Sequence, residues 1–70
     1  DTATGAIALC AAVRSSAITI RANAPLFHDK ELISSIINEA ICTENKAIEL
    51  EKQALAIVNR RLDEKGIITL

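Results

Sequence analysis

The chain has 70 residues, a net charge of −1 and a pI near 5.7, and half of its residues are hydrophobic. That length allows one small domain, 1–70, whose own core supplies only on the order of 3–5 kcal/mol, so a disulfide, a metal or a partner often adds to the stability of such chains. The charge balance excludes bulk attraction to nucleic acid, and the hydrophobic content excludes disorder over most of the chain.

The hydrophobic residues are mostly Ala, Ile and Leu, with Phe27 the one aromatic and no Met, Trp or Tyr. Branched aliphatics suit a long, regular interface better than a ligand pocket or a base-stacking surface. Beginning at Asp1 rather than Met, the sequence reads as a processed product or an excised piece. Residues 1–14 are small and apolar, and Ile7, Cys10 and Val13 recur at helical spacing, which predicts a short helix ending near Arg14 or a flexible arm. The apolar stretch Gly5–Val13 is about half of the ~20 residues that span a bilayer, so no membrane span is expected. No basic region precedes it, and Leu9 before Cys10 does not fit a lipoprotein cleavage pattern.

Over 16–23, Ile18, Ile20 and Ala22 alternate with Thr19, Arg21 and Asn23. Period two with β-branched residues predicts a short strand, although Ala17 and Ala22 suit a helix equally well. Pro25 ends the segment and biases Ala24 away from helix.

The clearest start signal follows. His28 or Asp29 can cap a helix with Glu31 in its first turn, and with His28 as cap Phe27 and Leu32 would take the staple positions. Leu32, Ile33, Ile36, Ile37, Ala40 and Ile41 then form one wide apolar stripe. Cys42 to Lys46 can be a turn capped by Thr43 or Asn45, or the wet face of an unbroken helix. The steps of four and three through Ile36, Ala40, Thr43, Ala47, Leu50, Ala54 and Ile57 favour continuity. Arg60, Arg61 and Lys65 suit a helix C-terminus and Gly66 a left-handed stop. Ile67–Leu70 read as an apolar, extended tail that packs back or meets a partner. The fold class expected is mainly α: one long or two consecutive amphipathic helices over about 29–65, with a short strand at 16–23.

Chemistry-bearing groups are few. Cys10 and Cys42 are too far apart in sequence for a CxxC motif, and read as two buried thiols or one disulfide. With His28 and Asp29 they are the raw material of a thiol nucleophile, but the spacing does not assemble one. Glu49 with Glu51, and Asp63 with Glu64, are two apart or adjacent on a helix and do not face each other. No phosphate loop or metal motif is present, so an enzyme, a metal site and a cofactor are not expected.

The order SAITIRANAP, then KELISSIINEAI and NKAIELEKQALAIVNRRL, resembles that of the ribbon-helix-helix DNA-binding proteins over residues 16–62. The resemblance implies a dimer formed by strand pairing, with Thr19, Arg21 and Asn23 in the major groove and the second helix's N-terminus, near Asn45, against a phosphate. The acidic balance favours another reading: a structural or assembly subunit, a homo-oligomer or the ligand of a partner protein. Ile33, Ile36, Ile37, Ala40, Leu50, Ala54 and Ile57 are then its interface.

Overall fold

The structure is a computed structural model and describes residues 2–66. Two helices form an antiparallel hairpin: α1 (Thr2–Asn23) and α2 (Lys30–Glu64), joined by a 3-10 turn (Ala24–Leu26). The mainly α expectation holds, and the long second helix is unbroken. Residues 42–46 are helical, with Thr43 Oγ1 donating to Glu39 O at 3.0 Å within the helix.

The strand expected at 16–23 is helix, and α1 does not end near Arg14. Helical geometry takes the same residues because Ala17 and Ile20 share one side of the chain at a spacing of three, and that side meets α2. The polar residues that suggested a ribbon serve the helix instead. Thr19 Oγ1 donates to Ser15 O at 3.0 Å, and Asn23 Nδ2 donates to Thr19 O at 2.9 Å. Without a strand among the described residues there is no ribbon, so the resemblance to ribbon-helix-helix proteins does not hold.

The corner explains the reversal. Pro25 lacks an N–H and sits in the first turn of the 3-10 segment, which closes with Phe27 N donating to Ala24 O at 3.1 Å. Phe27 is extended, and Asp29 rather than His28 caps α2: its side chain accepts from Leu32 N at 3.0 Å. Phe27 and Leu32 are therefore not staple partners, and both are largely exposed. At the far end Gly66 has φ +71°, the left-handed stop expected of it. The tail expected over 67–70 lies outside the described residues.

Between the helices runs a seam of small residues. On α1 the buried and half-buried positions are Ala3, Ala6, Cys10, Val13, Ala17 and Ile20, with Ala24 just beyond, in alternating steps of three and four. On α2 they include Ile33, Ile37, Ala40, Glu44, Ala47, Glu51, Ala54 and Val58, in the same alternation. A 3–4 repeat keeps one stripe facing a near-parallel neighbour along its whole length. The result is a rod of 56 × 16 × 14 Å with a radius of gyration of 16.6 Å. A compact chain of this length would have about 11 Å.

Ala17, at 2% exposure, is the most deeply placed residue of the seam. Ala17→Leu should overpack it and cost about 1–3 kcal/mol, read as a lower urea midpoint. Ala11→Leu, on the exposed side of α1, should stay within about 0.5 kcal/mol of the parent.

Candidate interaction surface

Three charged groups meet across the seam. Glu44 is 8% exposed, the one buried charged residue among those described. Its Oε2 lies 3.4 Å from Arg14 Nε, and its Oε1 accepts from Arg21 Nη1 at 3.5 Å. The two arginines are seven residues apart, so they project from one row of α1 and reach Glu44 from either side of Ala17. A carboxylate in the seam has lost most of its water, and two cations restore favourable contacts. Arg21, expected to read a base, is thus a structural ion-pair partner; Thr19 and Asn23 are bound to their own helix.

About two turns from Ala17 towards the N-terminus of α1, the buried Cys10 thiol lies near the carboxylate of Glu51. Burial pushes the thiol above its ordinary pKa, and the Glu51 hydrogen bond and negative charge push the same way. Arg14 opposes them, and Glu44 adds a further upward push. Such a thiol is held in its inert, protonated form. Cys42 differs from the expectation of a buried thiol: it is exposed, and both cysteines are free. With Cys10 opposite Glu51, Cys42 lies nine residues away along α2, about 13 Å, beyond disulfide reach.

The possible thiol, imidazole and carboxylate partners are not brought together. His28 and Asp29 occupy the corner, Asp29 as a cap, and Cys10 is opposite a residue about 30 Å further along α2. Of the acid pairs, Glu51 turns into the seam while Glu49 is exposed. No group of three or more His, Cys, Asp or Glu side chains among the described residues could hold a metal ion.

What the hairpin offers outward is apolar. Ile33 is buried in the seam; Ile36, Ile37, Ala40 and Ala54 are half-buried; Leu50 and Ile57 are 54% and 44% exposed. The seven-residue row Ile36, Thr43, Leu50 and Ile57 therefore flanks the seam instead of filling it. The sequence had placed a single stripe there. In the structure it is a neighbouring face that shares Ala40, Ala47 and Ala54 with the filled seam. On the same side, Ala12, Ser16 and Ile20 of α1 meet Ala40 and Thr43 over an apolar groove of about 290 Å³. Leu9, 55% exposed, lies on the row of Ser16 and extends this face. Sequence reasoning missed Leu9 because the α1 pattern is apolar nearly all round, and no polar side marks which residues face out.

The apolar stretch of α1 and the following turn, Thr2–Leu26, is long and apolar enough by length and composition to cross a membrane, which Gly5–Val13 alone is not. Neither a family model, a curated protein nor a solved structure matches this chain.

Two measurements follow from the seam. Glu44→Ala should lower stability by about 1–3 kcal/mol, less than the loss of a fully buried pair, because Arg14 and Arg21 are partly exposed and can rehydrate. Urea unfolding followed by circular dichroism reads it. In thiol labelling, Cys42 should react rapidly and Cys10 only as the hairpin opens. Because the folded thiol's pKa is raised, the unfolded chain ionises first as pH climbs through the ordinary thiol range. Stability is complete below that range and falls above it, and Cys10→Ser should flatten this alkaline slope.

Proposed function

We propose that this chain is a structural or assembly subunit that self-associates through the apolar faces of its helices. The observation that carries the reading is the exposed aliphatic surface of a folded hairpin: Ile7, Leu9, Ile18, Leu50 and Ile57 are each 44–56% exposed. An accessible surface of 5336 Å² supports it. That area is roughly a quarter above the ~4,200 Å² of a compact protein of 7.5 kDa. Apolar area contributes ~25 cal/mol per Å² only when something covers it. The charged groups nearest the centre of the rod are engaged with one another, which favours a scaffold over a reaction centre.

A second reading places α1 in or on a membrane, favoured by the length and composition of Thr2–Leu26. Against it, Arg14 stands at the middle of that stretch, and an arginine at a bilayer centre costs at least about 2.5 kcal/mol. Leaving the hairpin would also strip Glu44 of both its partners.

Sedimentation across low to high micromolar concentration, beside circular dichroism, tests the assembly reading. The wild-type chain should exceed monomer mass while helical. Leu50→Asp should shift it toward monomer with helicity kept, whereas Ile37→Asp, on the seam, should lose helicity as well. A helical wild-type monomer at the highest concentration overturns the reading. Flotation with neutral phospholipid vesicles tests the membrane alternative, which predicts that the chain rises with them.

A further inference from the structure

We infer that the occupant of the open face is a second copy of this chain, with its α2 running antiparallel to the first about a twofold axis at Leu50. The inference rests on the assembly reading and gives it a partner and a register. The face is the row Ile36, Thr43, Leu50 and Ile57, with Leu9 beside it on α1. Thr43 does not interrupt it with an unpaired donor, because its hydroxyl is already bound to Glu39 O.

Charge selects the direction. The next row outward on α2 is Leu32, Glu39, Lys46, Gln53 and Arg60, all exposed. Its acid lies toward the N-terminal end and its cations toward the middle and the C-terminal end. In a parallel pair the twofold runs along the helices and carries this row to opposite sides of the interface, so Glu39 and Arg60 meet no counterpart from the same row. Antiparallel pairing about Leu50 sets Glu39 against Arg60 of the second copy, twice by symmetry, and Lys46 against its uncharged Gln53. The same register places Leu50 on Leu50 and Thr43 on Ile57, so apolar and charged rows agree on one arrangement. A twofold interface of one patch with itself has this self-complementary form.

A rod of this shape has about 1,100 Å² more surface than a compact chain of the same mass, spread over all its sides, and covering this face removes part of it. Two hairpins joined along this face make a four-helix arrangement in which Leu9, Leu50 and Ile57 become interior. The opposite side of the hairpin is less suited. It too exposes aliphatics, Ile7 and Ile18, but there Ile48, Leu55 and Leu62 are already half-buried, and Arg14 and Arg21 place charge beside them.

The test is a cysteine placed on the axis. In the full chain carrying Cys42→Ser, Leu50→Cys should give a disulfide-linked dimer under mild oxidation with glutathione, because the axis brings the two positions together. Asn38→Cys, on the exposed polar side, should stay monomeric on the same non-reducing gel. Glu39→Lys should raise the dimer dissociation constant, roughly fivefold, and Glu39→Lys with Arg60→Glu should restore it. A helical oligomer in which Leu50→Cys does not link, or which the charge exchange does not restore, overturns the antiparallel pairing and leaves the assembly reading standing. A helical monomer at high micromolar concentration overturns both.

Discussion

The hairpin depends on a carboxylate that cannot stand alone. Glu44 sits in the seam at 8% exposure, and its two oxygens each meet a different arginine of α1. The arginines are one seven-residue interval apart, so they fix which side of α1 faces α2 and how far along it lies. A slip of one helical turn, about 5.4 Å, would carry the carboxylate away from one of them. Cys10, near Glu51, adds a buried polar group to the same seam. An all-alanine seam has little to distinguish one register from the next, so here the polar contacts choose the register while the apolar ones supply the adhesion.

That adhesion is thin. The buried hydrophobic residues are Cys10, Ala17, Ile33 and Ala47, and among the described residues no large side chain is fully buried. Small side chains let the helices lie close, but each removes little apolar area from water. Apart from Ile33, the larger aliphatics are half-covered or open. The same choice that fixes a close hairpin therefore leaves adhesive surface outside it, and this ties the packing to the assembly function proposed above.

Helix α2 carries two overlapping stripes. Ala40, Ala47 and Ala54 belong to both; Glu44, Glu51 and Val58 complete the one that α1 covers, and Thr43, Leu50 and Ile57 the one it leaves open. Read along the sequence, the open stripe is the more obvious, because its members are uncharged. No count of hydrophobic residues would choose a stripe with two glutamates as the inner one. It is inner because α1 brings Arg14, Arg21 and the Cys10 thiol to meet those carboxylates.

The sequence by itself determined that helix fills about 29–65, through a cap at His28 or Asp29, a 3.6-residue apolar period without Gly or Pro and a glycine stop, all local signals that act within a turn or two, while it left 42–46 open between a turn and an unbroken helix. Its aliphatic content also led to the expectation of more apolar side chains than a short chain's own core covers. Tertiary structure decided α1. The alternation of Ile18, Ile20 and Ala22 with Thr19, Arg21 and Asn23 fits a strand locally, but a strand there would have lacked a partner within the chain. As helix, the segment presents Ala17 and Ile20 to α2 and brings Arg21 to Glu44. The same packing buried Cys10 and left Cys42 exposed, a difference invisible in two cysteines read from sequence. Periodicity is a local property, whereas the identity of the buried side depends on a partner helix more than twenty residues away, and only the folded hairpin brings that partner into contact.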